Sequence, residues 1–282
     1  MSAFATSVAP NVVHGTVLTL ALALTLPAIA QTTALAPRVV SELKDIHMKA
    51  ISKLPKASGD AGDRDRCPLV ISPKSSAAKQ VAAQDWTVMA DVPFGPYRAV
   101  SFAGQMEAAT SGMCTVTQGN VAVFQNDRLI ALAYGKSAED TAIGTLTPLE
   151  GGAVRVWDGD ISSLPVGDLR VDGDGTLRMS KVADEDAVCQ GHAKVPNVYN
   201  MPIDKARKAL ATQGWNPVRG KASGEPRQIA LAKRGIVEAE SCADTGLGYC
   251  NFNYAGPAGR LTLTTVGDND LPHVVGYDVK CR

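Results

Sequence analysis

Six cysteines carry the clearest chemistry in this chain: Cys67, Cys114, Cys189, Cys242, Cys250 and Cys281. Thiols can ligate a metal, attack a carbonyl or pair as disulfides. A metal site needs cysteines or histidines at ligand spacing, and His47, His192 and His273 stand isolated. Cys189-Gln190-Gly191-His192 lacks the second cysteine that haem attachment requires. A cysteine nucleophile needs a free thiol of depressed pKa beside a base. An even cysteine count behind an export signal argues instead for disulfides, which persist in oxidising compartments. Sequence alone does not choose among the possible connectivities. Boundaries between two repeated modules favour Cys67–Cys114, Cys242–Cys250 and Cys189–Cys281. No serine sits in a G-x-S-x-G elbow. Asp172-Gly173-Asp174-Gly175 faintly resembles a calcium loop, but Ala183 occupies the position of the bidentate glutamate, so the stretch reads as a tight turn. Asp158 and Asp160, after Trp157, read the same way. The expectation is a chain with no catalytic residue, no metal and no cofactor.

The export signal itself is residues 1–30. Val17 to Leu26 is an apolar run too short to span a bilayer, and Ala28-Ile29-Ala30 follows it as a small-x-small cleavage site. A positive n-region is absent, since no Lys or Arg precedes Arg38. The expected location is periplasmic or secreted, with no integral membrane segment after signal cleavage. Lysine plus arginine number 28 and aspartate plus glutamate 28, interspersed along the chain. This balance argues against nucleic acid, which requires a basic stripe.

Two stretches share one pattern about 129 residues apart. The first runs through Pro73, Ala77, Lys79, Val81, Gln84, Trp86, Arg98 and Cys114. The second runs through Pro202, Ala206, Lys208, Leu210, Gln213, Trp215, Arg227 and Cys242. The fold class expected is α+β: two tandem, distantly related modules, each a helix packed on a small antiparallel sheet, with disulfides. The divisions are 31–66, an N-terminal helix (Val39 to Leu54) and a polar linker; 67–183, module 1, with a helix over 73–85; and 184–282, module 2, with a helix over 202–213. Apolar residues at Val40, Leu43, Ile46, Met48, Ile51 and Leu54 give the first helix its period. Ser72-Pro73 starts the second, and Gly214 ends the third. Strands are expected at Leu69 to Ile71, Thr87 to Val92, Tyr97 to Phe102, Val121 to Phe124, Arg128 to Tyr134, Ala153 to Trp157 and Thr176 to Met179. Others are expected at Val195 to Tyr199, Gln228 to Ala232, Ile236 to Ala239, Cys250 to Tyr254, Arg260 to Val266 and His273 to Cys281. Asn126-Asp127 is the expected hairpin turn.

In module 2, Val195-Pro196-Asn197-Val198-Tyr199-Asn200-Met201-Pro202, then Ala206-Arg207, Leu210 and Gly214-Trp215, open a segment that resembles a PASTA repeat over about residues 195–266. Gly235-Ile236-Val237, Cys242 to Gly246 and the strand of Leu261, Leu263 and Thr265 sit where that family has its later elements. Asn200 stands where the family has glycine, and Trp215 where it has leucine. The resemblance implies an extracytoplasmic sensor of peptidoglycan or muropeptides.

The expected function is that of an exported, non-enzymatic cell-envelope binding protein recognising a wall glycan or another exported protein. The other reading is a periplasmic inhibitor or immunity protein against a secreted hydrolase, with the loop Asn251 to Arg260 as its probe. The candidate binding surface comprises Trp86, Trp215, Arg98, Arg227, Tyr254 and Arg260. A tryptophan repeated at a helix corner also suits a core plug, and an arginine repeated at a strand start can cover a sheet with its stem.

Overall fold

The computed structural model describes Ala3, Ala9 and residues 37–221, 223–267 and 271–282. The expected export signal therefore lies outside the described residues, Ala3 and Ala9 apart. The described residues from Pro37 onward form a single unit. The described residues mix helix and sheet but tilt to β, with strand at 42% against 13% helix. Among the described residues no helix is long and apolar enough to cross a membrane.

Residues 39–180 build a sandwich of two five-stranded sheets, not one small sheet. One is fully antiparallel, ordered Ile46–Ala50, Arg128–Gly135, Asn120–Gln125, Tyr97–Ala103, Thr87–Phe94. The other runs Val39–Ser41, Leu177–Ser180, Pro165–Val171, Val154–Trp157, Leu146–Pro148, and its first pair is parallel. Alternating side chains from both sheets meet between them: Phe94, Val121 and Val123 face Val154, Val156, Leu169 and Met179. The helix α1 (Ser76–Ala82) covers the outer face of the first sheet with Ala77, Ala78 and Val81, against Val100, Phe102 and Phe124. The helix is shorter than the expected 73–85, and it starts at Ser75 rather than at Ser72-Pro73, because the Ser75 hydroxyl accepts from the Ala78 amide at 3.0 Å. Asn126 and Asp127 both take positive φ, as a type I′ hairpin turn requires.

The expected N-terminal helix is not formed, and the segment is not separate from module 1. Val39–Ser41 joins one sheet and Ile46–Ala50 the other. The apolar positions fit a helical period, but Ile46 to Ala50 also alternates, and the strand Arg128–Gly135 supplies five ladder partners. Packing on that partner outweighs a weak local preference. Leu69 to Ile71, expected as a strand, belongs to no regular element.

Residues 184–282, the stretch expected to be module 2, start with the hairpin Glu185–Val188 and Ala193–Pro196, followed by α2 (Ile203–Thr212). The end of α2 is a Schellman motif: the Gly214 amide donates to Ala211 O, the Trp215 amide to Leu210 O, and Gly214 sits at φ 79°. A sheet follows in which Asn216–Pro217 and Ala239–Cys242 both pair Cys250–Gly256, then Gly259–Val266 and His273–Cys281. Gln228 to Ala232, expected as a strand, lies in the helix α3 (Pro226–Lys233). Pro226 at its first turn and a second Schellman end at Gly235 and Ile236 fix it there. The strand expected at Ile236 to Ala239 begins instead at Ala239. The 129-residue register therefore ends soon after the tryptophans: Arg98 lies on a strand and Arg227 on a helix. The segment Asn251 to Arg260 is not a free loop but a tight hairpin, paired from Cys250 to Gly256.

Disulfides join Cys67–Cys114, Cys189–Cys281 and Cys242–Cys250. The last closes a loop of separation 8. By the chain-entropy argument, the double variant Cys242→Ala/Cys250→Ala loses about 2 kcal/mol, read as a lower urea midpoint.

Candidate functional site

Strand alternation places the central group. In Val154–Trp157, Val154 and Val156 enter the sandwich, so Arg155 and Trp157 project from its other face, toward module 2. Arg155 is only 1% exposed. Asp168 stands directly opposite it on the neighbouring strand and takes the guanidinium in a fork: Nε donates to Oδ1 at 2.9 Å and Nη2 to Oδ2 at 3.1 Å. Asp186, from the first strand of module 2, makes a second fork, with Nη1 donating at 2.5 Å and Nη2 at 2.8 Å. The Tyr277 hydroxyl donates to the same Asp186 carboxylate, and the Ala183 amide to Asp168. Burial works against the Arg155 charge, but its bonds to Asp168 and Asp186 raise its pKa overall, so it stays a cation. Burial likewise raises the Tyr277 and Tyr199 hydroxyls, which remain donors.

Over this triad lies a cleft of about 220 Å³, lined by residues from 147–157, 186–199 and 277–281. Three half-buried rings line it. Trp157 meets Tyr199 edge-on at 5.4 Å, and Tyr199 lies 5.7 Å from Tyr277. The Arg155 guanidinium sits 5.5 Å from the Tyr199 ring. Trp157 Nε1 donates to Thr147 at 3.0 Å, and Glu150 accepts from the Gly191 amide at 3.1 Å. The Cys189–Cys281 bridge closes one side. Such a cleft offers apolar ring faces for C–H surfaces and fixed polar edges for hydroxyls. Its two buried carboxylates are committed to Arg155.

The residues singled out from the sequence fall elsewhere. Trp215 is fully buried at the heart of module 2, with its indole donating to Lys194 O at 2.7 Å. Tyr254 is 1% exposed and donates to Glu238 at 3.0 Å, a fully buried carboxylate that also meets Arg207. Neither can belong to a surface. Arg227 holds the Cys242–Cys250 loop by donating to the carbonyls of Ala243, Gly248 and Gly267. Arg98 pairs with Asp91 at 2.7 Å, whose other oxygen accepts from the Ser75 amide at the start of α1. Arg260 is exposed near the tip of its hairpin. Trp86 is half-buried, packs edge-on against Phe102 and donates to Pro55 O. It lines a larger groove of about 690 Å³, whose Lys56 and Asp85 are exposed and paired with each other. That groove holds one ring and no buried charge, whereas the junctional cleft holds three rings over a buried charge cluster. The junctional residues Arg155, Trp157, Asp168, Asp186, Tyr199 and Tyr277 are absent from the sequence-based candidates. Their local signals were slight: a charged residue alternating with two valines, and Asp168 beside apolar Val166 and Leu169.

No family model, no curated protein and no solved structure matches this chain.

Proposed function

We propose that this chain is an exported, non-enzymatic cell-envelope binding protein that holds a wall glycan in the cleft between two distantly related modules. The observation carrying the reading is the wall of Trp157, Tyr199 and Tyr277 above a fixed polar floor, an arrangement suited to a sugar ring and its hydroxyls. Three disulfides fit a secreted or periplasmic protein. Related modules are supported by α1 and α2, each followed by a left-handed residue and then a tryptophan: Asp85 at φ 63° before Trp86, Gly214 at φ 79° before Trp215. A PASTA-like ancestry for module 2 is supported by Asn200, whose φ of 59° favours glycine or asparagine, at the position where that family has glycine.

The test is calorimetric titration of the full chain with soluble wall-glycan fragments, alongside co-sedimentation with insoluble wall. Trp157→Ala removes a ring that is half exposed, so the fold persists. Its loss is expected to weaken binding by more than about tenfold, the behaviour of a central aromatic anchor. Wild-type protein that stays in the supernatant and gives no binding heat at high concentration excludes the glycan reading.

A further inference from the structure

The charges around the junctional cleft do not cancel. Arg155 is the only basic residue among the described residues that line it. Two carboxylates, Asp168 and Asp186, face that single guanidinium, which leaves the buried triad with one surplus negative charge. Glu150 adds another at the rim, where it is exposed and, among the described residues, accepts only a backbone amide. Asp278 borders the cleft and has no ion-pair partner among the described residues, although strand alternation sets its side chain opposite Tyr277. Aromatic faces attract cations, and most strongly where water is partly excluded. Arg155 occupies one face of Tyr199, but its charge is already over-matched, and among the described residues no cation stacks over Trp157 or Tyr277.

Building on the glycan reading, we propose that the cleft selects a saccharide bearing a protonated amino group over its N-acetylated or carboxylated counterpart. The ammonium is held between the ring of Trp157 and the carboxylate of Glu150, above the surplus negative charge of the Arg155 triad. An anionic sugar would meet the same carboxylates and be repelled. The same ammonium could be presented by a peptide side chain, so the test includes both sources.

The experiment follows tryptophan fluorescence of the full chain at low salt and mildly acidic pH, with four probes: glucosamine oligomers, N-acetylglucosamine oligomers of equal length, lysine amide and tetramethylammonium. The free-amine oligomer is expected to bind about tenfold more tightly than the acetylated one. That ratio is expected to shrink with added salt and in Glu150→Gln. Equal or tighter binding of the acetylated oligomer overturns the charge preference while leaving the glycan reading in place. Saturable binding of lysine amide or tetramethylammonium, with neither oligomer binding, upholds the ammonium site and removes the glycan. No response to any probe overturns both.

Discussion

Replacing Arg155 by methionine is expected to cost about 3–5 kcal/mol of stability, because it strands two nearly buried carboxylates without their cation. In the native protein Asp168 and Asp186 each accept two bonds from one guanidinium. Methionine matches much of the side chain's volume and none of its charge. Part of the cost is recoverable by acid. In the variant, burial and the like-charged neighbour both disfavour each unpaired carboxylate charge, and protonation removes that charge. The deficit relative to wild type therefore shrinks as pH falls through the carboxylate range and is largest at neutral pH. Urea unfolding of both proteins across that range measures it. A variant as stable as wild type at neutral pH would show that the triad does not lock the hairpin Glu185–Pro196 to the strands Val154–Trp157 and Pro165–Val171. A companion variant, Asp186→Asn, leaves Arg155 paired to Asp168 and is expected to lose less.

Trp215→Ala is the second large loss, again about 3–5 kcal/mol from the cavity alone. The indole is fully buried among Ile203, Leu210, Phe252 and Leu261, and its N–H satisfies the Lys194 carbonyl. Removing it orphans that carbonyl, which adds about 1 kcal/mol. The sheet is shaped around the ring: a Cβ at Gly256 would come within 2.4 Å of it, so alanine there is also disfavoured. Trp86→Ala serves as the control. Its ring is half exposed and its N–H reaches Pro55 O at the surface, so it is expected to lose clearly less. Thermal and urea midpoints of the two variants, measured side by side, check the difference. Equal losses would mean that the two tryptophans plug equivalent cores, contrary to their unequal burial.

The two tryptophans also show how far the sequence could be read. Their matched spacing announces two helix ends, and both are present, because helix ends are local: Gly214 frees a turn within five, whereas the start expected at Ser72-Pro73 lies three residues on, at Ser75. The path of the chain beyond each tryptophan is not local. After Trp86 the chain enters a long hairpin; after Trp215 it makes two strand residues and then α3. A short apolar stretch such as Gln228 to Ala232 satisfies either period, and only Pro226 and Gly235 at its flanks distinguish the helix. Val39 to Ala50 failed as a helix for the same reason from the other side. Its ladder partners, Arg128–Gly135 and Leu177–Ser180, lie far along the chain. Tyr254 reads as one member of an alternating strand. Its burial depends on Glu238 and Arg207, which the segment before Ala239 and α2 deliver from separate places.

The chain's own order of residues determined what short range can dictate: the capped helices α1 and α2, the Asn126-Asp127 hairpin, the alternating strands, and the cysteine complement that forms three bridges. Tertiary structure alone decided which strands share a sheet, that residues 39–180 make two layers, and that Arg155, Trp157, Asp168, Asp186, Tyr199 and Tyr277 meet. Those six come from five separate segments, and no spacing along a chain encodes a meeting that arises only when two packed surfaces close on each other.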